Sequence, residues 1–497
     1  DKKKYELALK EYKKNIPIQL NFFTRTFGGL FTIIKNGSID YSEKYRSSIP
    51  GYVGSLQFIK NDFSGLDRNI GYVFGFQPNL NWLDERATLG YFTNNPDFNL
   101  QITQTYSQKI SLNLQIEPIP YLNINLRFNK TFTKNYSELF KDTNYTGTFQ
   151  HLSPLANGGF NVSFFALNTF FDNDKINNIN TLFLNFQKNR IIVAKRVAAQ
   201  NPYWINLPDN QKFTSDGFPT GYNRYAQEVL IPSFIAAYTG ENAQHVALIK
   251  PGKNQLSLNP FDGIIPKPNW QLTYSGFSHI KAIKEIFTSF TIRNGYTSNF
   301  ELNSYSSSLL YSDPFRWGGA GFVDTVSNNF VPYFLVPNIT INESLDPLIG
   351  VDIATINATF KFEYRRSRTL TLSLIDYQVS ESRMSDISFG SSYQIRNVKL
   401  PFKLPTFFGN NFKANLIIKI DISVRDSKRT NTILDQNNSI VLDGQEEITI
   451  FPSLDYVINT NFSFKLFFEQ RYLTPYVSNN YPTVNTRAGL SIRYTFR

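Results

Sequence analysis

The fold is decided by residues 110–129, which read ISLNLQIEPIPYLNINLRFN. Apolar and polar residues alternate on both sides of a short turn at residues 118–120. Since successive side chains of a strand point to opposite faces, this alternation predicts two strands that each have one apolar and one polar face. The apolar face carries Leu112, Leu114, Ile124 and Leu126, and the polar face carries Asn113, Gln115, Asn123, Asn125 and Arg127.

The same alternation returns in the last third of the chain. Its apolar residues include Ile418, Ile420, Leu490 and Ile492, and its polar residues include Lys419, Asp421, Lys465 and Arg493. Over the whole chain the pattern predicts about 14 strands. They cluster near residues 30–46, 99–135, 147–165, 268–308, 331–397 and 411–497.

The composition disfavours several protein classes. The 497 residues include 46 Phe and 28 Tyr but no Cys, so disulfides and Cys-ligated metals are excluded. Only 18% of residues are charged and aromatics reach 16%, which argues against disorder. No apolar run approaches the roughly 20 residues of a membrane-spanning helix.

The alternation alone does not decide which solvent the apolar face meets, because a secreted β-sandwich adhesin would show it too. Many alternating segments approach the about 9–11 residues that cross a bilayer at a tilt. The abundant aromatics suit interfacial girdles, and the last strand is expected to end in an aromatic, Phe496, as in outer-membrane barrels. We therefore predict an all-β fold, a transmembrane antiparallel β-barrel whose apolar residues face lipid and whose polar residues face the lumen.

The connections in the last third predict an orientation. Residues 426–444 and 473–484 look like long polar loops, and residues 457–461 look like a short turn. Outer-membrane barrels combine short periplasmic turns with long extracellular loops. The expected location is therefore the bacterial outer membrane, with the C-terminus in the periplasm.

Two regions break the alternation. Residues 2–14 read as a short basic helix, and residues 172–265 as a partly helical insert in the lumen or at a barrel mouth. Within the insert, helices are predicted over residues 186–200 and 225–238. Although length alone suggests roughly three domains, we expect residues 1–497 to form one, because a large barrel closes a single sheet.

No constellation in the sequence indicates catalysis. The three His residues, His151, His245 and His279, are far apart and show no metal-ligand spacing. No nucleophile elbow, P-loop or dinucleotide motif is present. We predict no catalytic, cofactor or metal site, and no enzyme. The net charge of +11 is expected at the rims and in the lumen rather than on a nucleic-acid surface.

Several segments resemble the SprA/Sov family, the outer-membrane translocon of the type 9 secretion system in Bacteroidota, which is tied in some members to gliding motility. They are structural rather than catalytic motifs. The matching segments are IPSFIAAYTG (231–240), PNW (268–270), NITINE (338–343), DPLIGVD (346–352), EYRRSRTLTLSL (363–374) and NTRAG (485–489).

The resemblance implies the C-terminal portion of a very large single-chain barrel, since family members are several times longer. It implies a passive pore that passes folded cargo proteins to the cell surface. The implied partners are a PorV-type shuttle barrel, a periplasmic plug protein, the secreted cargo and the remaining part of the translocon barrel. The alternatives left open are a TonB-dependent or FadL-like small-molecule transporter and the secreted adhesin.

Overall fold

The computed structural model describes most of the chain, and the predicted helix over 2–14 and Phe496 lie outside the described residues. The described residues are 33–53, 77–171, 181–249, 259, 261–311, 322–398, 414–436, 439–458, 461–477 and 480–495.

The described residues form one antiparallel sheet of 14 strands, which confirms the predicted all-β class and the strand count. The strands are β1 Ile34–Ser48, β2 Ile102–Ile116, β3 Leu122–Asp142, β4 Phe149–Ser163, β5 Asn269–Tyr274, β6 Ser289–Ser307, β7 Phe334–Leu335, β8 Asn338–Ala354, β9 Ala358–Ser373, β10 Gln378–Val398, β11 Ala414–Ile433, β12 Ser439–Val457, β13 Phe462–Pro475 and β14 Thr483–Tyr494.

Strand neighbours follow chain order almost throughout. The spatial order is β1-β2-β3-β4-β6-β8-β9-β10-β11-β12-β13-β14, and β5 fits between β3 and β6 beside β4. β4 pairs with the second half of β3, and β5 pairs with the first half. Together β4 and β5 therefore fill one strand position, and the chain leaves the sheet between them.

The sheet has two distinct ends. The turns at 117–121 and 355–357 and the β5–β6 connection at 275–288 lie at one end, where β12 and β14 also stop; we call this the turn end. The opposite end, where β3 and β9 stop, is the insert end. The predicted long loop at 426–444 is wrong, because β11 continues to Ile433 and β12 begins at Ser439. Backbone N–H and C=O groups pair between strands whatever side chains the residues carry. The two strands therefore continue beyond the segment in which apolar and polar residues alternate.

Five α-helices accompany the sheet in the described part of the chain. They are α1 Leu80–Thr88, α2 Thr181–Ala198, α3 Pro202–Ile205, α4 Gln227–Thr239 and α5 Lys281–Lys284. α2 and α4 confirm the two helices predicted for the insert. None of the helices in the described ranges is long and apolar enough to cross a membrane.

The insert packs by its two long helices. α2 buries Leu182, Phe183, Phe186 and Val193, which recur at helical spacing on one side. α4 is buried almost all round, as expected of a helix at the centre of a core, and ends at Gly240 with a φ of 75°. The two helices form the main hydrophobic core with the insert-end half of the sheet.

Candidate functional site: the two faces of the sheet

The register assigns each sequence-predicted residue of β2 and β3 to a face, because directly paired residues share one. Leu114 pairs with Leu126 and Ile116 with Ile124, whereas Gln115 pairs with Asn125. The apolar and polar residues of this hairpin therefore lie on opposite faces: Leu112, Leu114, Ile124 and Leu126 on one, and Asn113, Gln115, Asn123, Asn125 and Arg127 on the other.

The C-terminal strands continue the same two faces. Ile418 pairs with Leu454, Leu454 with Leu466, and Leu466 with Leu490, so one apolar row crosses four strands. Following the pairs back through β10, β9, β8, β6 and β5 reaches Ile124 and Leu126 without a change of face. Ile420 and Ile492 join this apolar face, and Lys419, Asp421, Lys465 and Arg493 join the polar face.

Near the turn end the apolar face carries a band of half-buried and exposed apolar side chains, which we call the apolar belt. On β11 it runs from Leu416 to Val424, and Ile418, Ile420 and Ile422 there are 36–40% exposed. Leu490 and Ile492 on β14 are 64% and 59% exposed. The belt comprises Ile39, Tyr41, Ile110, Leu112, Leu114, Ile116, Leu122, Ile124, Leu126, Leu272, Tyr274, Phe290, Ile292, Val351, Ile353, Phe360, Phe362, Tyr364, Ile387, Phe389, Tyr393, Ile395, Leu416, Ile418, Ile420, Ile422, Val424, Ile448, Ile450, Leu454, Phe464, Leu466, Phe468, Leu490, Ile492 and Tyr494.

The height of the belt can be read from β11. From Leu416 to Val424 the strand advances about 26 Å at about 3.3 Å per residue. With a strand tilt of about 40°, this is a height of roughly 20 Å, close to the roughly 25 Å apolar band of membrane barrels. An exposed apolar surface this extended requires a cover.

The belt stops abruptly on the side of the insert end. Above Val424, the next residues on the same face of β11 are Asp426 and Lys428. On β10 the residues above Ile387 are Ser385 and Arg383. Polar or charged side chains thus replace apolar ones across a single step of the ladder on both strands.

The polar face carries ion pairs instead of apolar clusters. Lys419 Nζ lies 2.8 Å from Asp455 Oδ2, and Arg471 Nε lies 2.7 Å from Glu447 Oε1. Lys465 stands over the ring of Phe451, with its Nζ 5.8 Å from the ring centre. Of the candidate residues on this face, Lys419 and Lys465 thus each contact a side chain of the neighbouring strand.

A denser charged network on the polar face centres on Glu363, whose side chain is 3% exposed. It accepts from Arg293 Nη2 at 2.6 Å, from Lys361 Nζ at 3.1 Å and from Arg365. Arg293 Nε also donates to Asp352 Oδ2 at 2.6 Å. This network joins β6, β8 and β9. Glu363 and Arg365 belong to the segment 363–374 that carries the family resemblance, but the network was not predicted from the sequence.

The insert lies on the face that carries the belt. Its core contains Ile341 and Leu370, which are paired and lie on the apolar face of β8 and β9 beyond the belt. Phe186 of α2 and Phe234 of α4 pack there with ring centres 5.9 Å apart. The insert and the predicted lumen residues therefore lie on opposite faces of the sheet.

A buried ion pair fastens the start of the insert to the sheet. Arg368 Nη2 donates to Glu343 Oε2 at 2.5 Å, and both side chains are at most 1% exposed. Arg368 Nη1 also donates to the carbonyl oxygen of Thr169 at 2.8 Å, and its Nη2 donates to Thr169 Oγ1 at 3.0 Å. Sequence reasoning missed this pair, although Glu343 and Arg368 are charged residues at apolar positions of the alternation.

His151 forms a second polar junction outside the belt. Its Nδ1 lies 2.6 Å from Glu138 Oε2, and its Nε2 lies 3.0 Å from Asp84 Oδ1 in α1. Burial lowers the pKa of His151, but the hydrogen bonds with the two carboxylates outweigh it and raise the pKa above its usual value. Within the described ranges no group of three or more His, Asp or Glu residues could hold a metal ion.

The two end strands each have one partner among the described residues. β1 pairs with β2 alone and β14 with β13 alone. The belt residues of β14, including Leu490 and Ile492, thus lie beside an open edge of backbone N–H and C=O groups.

Comparison with known proteins finds similarity to solved structures but not to known families or curated sequences. A solved structure of OmpT, an in-vitro folded, trimeric outer membrane protein of Vibrio cholerae, has 8% sequence identity and a TM-score of 0.18 over 92% of this chain and 99% of that chain. A TM-score this low supports no conclusion about fold or function.

Proposed function

We propose that the chain is part of the wall of an outer-membrane pore, with the apolar belt in lipid and the polar face toward an aqueous lumen. The single observation that carries this proposal is the belt itself, a row of exposed apolar residues at one height across the sheet. In water such a surface would drive aggregation, whereas in a bilayer it needs no further cover.

The polar face supports the second half of the proposal. Ion pairs such as Lys419–Asp455 and Arg293–Asp352 are stable beside water but costly against hydrocarbon. Since the insert shares the face of the belt, it stands outside the lumen and above the membrane in this arrangement. The insert therefore lies near one barrel mouth, on the outer side of the wall, and not in the lumen.

The open edges require further strands. Unpaired backbone groups are not tolerated in hydrocarbon, so β1 and β14 must each gain a partner at belt height. We propose that these partners are the remaining strands of a larger barrel. We propose that the turn end, and with it the C-terminal end of β14, faces the periplasm, because the long connections 49–101 and 308–333 lie at the insert end and long loops of such barrels are usually extracellular.

The specific function we propose is that of the type 9 secretion translocon, a passive, non-enzymatic pore for folded proteins. The sequence resemblance to the SprA/Sov family carries this step, through segments such as residues 363–374 and 231–240. The cargo, the PorV-type shuttle and the periplasmic plug protein are the partners that the resemblance implies.

Two assays test the proposal at its two levels. Ile420→Arg should prevent assembly into the outer membrane, because a cation at the bilayer midplane costs about 2–4 kcal/mol. Lys419→Gln, its neighbour on the polar face, is the matched control and should assemble. If both variants assemble equally, the proposal that the apolar belt lies in the membrane is wrong.

A secretion assay distinguishes a type 9 translocon from other outer-membrane pores. Depletion of the protein should leave folded type 9 cargo in the periplasm while other outer-membrane barrels assemble normally. Normal secretion of cargo after depletion would contradict the translocon function but would not contradict the proposal that the chain is part of a membrane barrel.

A further inference from the structure

A cavity of about 160 Å³ lies on the apolar face directly above the belt. Its lining includes Arg366, Arg383, Ser385, Asp426 and Lys428, from β9, β10 and β11. The small side chain of Ser385 lies between Arg366 and Asp426 on the same rung of the ladder, which leaves the space open.

The position of the cavity relative to the belt follows from the register. The last belt rung holds Tyr364, Ile387 and Val424. Arg366 and Ser385 lie one rung higher, about 7 Å along the strands, and Arg383 and Lys428 lie about 13 Å higher. The headgroup layer of a bilayer begins where the hydrocarbon ends and is several ångströms deep.

The charges around the cavity favour an anion. Arg383 Nε donates to Glu381 Oε1 at 2.5 Å, so one cation is matched by one carboxylate. Asp426 Oδ1 accepts from the Tyr476 hydroxyl at 2.8 Å. The guanidinium of Arg366 lies over the rings of Phe170 and Phe171, and neither Arg366 nor Lys428 forms an ion pair with a carboxylate within the described ranges. Two cations thus flank the cavity against one remaining carboxylate.

We infer that this cavity binds the phosphate of an anionic membrane lipid whose acyl chains lie on the belt below it. Arg366 and Lys428 contact the phosphate from two sides, and the Ser385 hydroxyl donates to it from the floor. The apolar path for the chains runs down Ile387, Phe389 and their neighbours on β9 and β11. This inference rests on the proposed placement of the belt in lipid.

Native mass spectrometry of the detergent-extracted protein tests the inference with three probes. Phosphatidic acid should remain bound about tenfold better than diacylglycerol with the same acyl chains. Inorganic phosphate, which has no chains, should not displace it at the same concentration. Displacement by inorganic phosphate would overturn the assignment to a lipid.

Matched double variants locate the binding. Arg366→Gln with Lys428→Gln should abolish the tenfold preference. Arg425→Gln with Arg429→Gln removes the same charge from the opposite face, where these residues pair with Asp386 and Asp443, and should keep the preference.

Equal behaviour of the two double variants would overturn the site. Incorporation of the wild-type protein into phosphatidylcholine vesicles is measured in parallel. If the protein incorporates but shows no preference, the site alone is wrong; if it does not incorporate, the membrane wall is wrong as well.

Discussion

Glu343→Gln should loosen the attachment of the insert to the sheet. The Glu343 carboxylate accepts from Arg368 Nε at 3.0 Å, from Arg368 Nη2 at 2.5 Å and from the Tyr296 hydroxyl at 2.8 Å. Because the amide carries no charge, the buried guanidinium of Arg368 would lose its counter-ion. Breaking a buried pair in this way costs about 3–5 kcal/mol.

The assay is a urea titration of the protein in detergent, followed by tryptophan fluorescence. Trp270 is a suitable reporter, since its ring lies 4.5 Å from that of Tyr296. The control is Lys419→Gln, which breaks the half-exposed pair with Asp455 and should cost at most about 1 kcal/mol. A cost for Glu343→Gln no larger than that of the control would refute the role assigned to the buried pair.

Three further predictions concern the two faces of the sheet, His151 and Glu228. Ile124→Arg should block membrane assembly, measured by surface protease protection, while Asn123→Arg on the opposite face should assemble; equal results would contradict the face assignment. The raised pKa of His151 means that its contribution to stability is complete below the unfolded value and lost as the pH rises through the folded one. Proteolysis of the α1 segment should therefore accelerate above that pH in the wild type but show no such step in His151→Gln. Burial raises the pKa of Glu228 in α4 from 4.5 to about 7, so the wild type should lose urea resistance as the pH rises from about 4.5 to 7. Glu228→Gln should remove this loss, and an unchanged pH profile in the variant would count against the prediction.

The strands and their faces could be predicted because both depend on local sequence. The period of two places Lys419 and Ile420 on opposite faces whatever partner the strand has. The helices of the insert were predictable for the same reason, since α2 shows its helical spacing within one segment. The length of β11 was missed, because beyond Val424 both faces are polar and the alternation disappears.

Contacts between distant segments had no local signal. Arg368 reaches Thr169 across 199 residues, and nothing near either residue indicates the other. The side on which the insert packs was equally hidden, because α4 is apolar all round and would fit any dry face. A partial signal did exist at Glu343, which replaces an aliphatic residue in the series Ile339, Ile341, Glu343 and Leu345.

The central claim, that the belt faces lipid and the opposite face water, is tested most directly by single cysteines in a chain that has none of its own. Cysteines at Ile418, Lys419, Ile420 and Asp421 are labelled with a fluorophore in reconstituted vesicles, and quenching by a lipid-bound and by an aqueous quencher is compared. We predict lipid quenching at 418 and 420 and aqueous quenching at 419 and 421. Quenching without this alternation, or with the two sets reversed, would contradict the account.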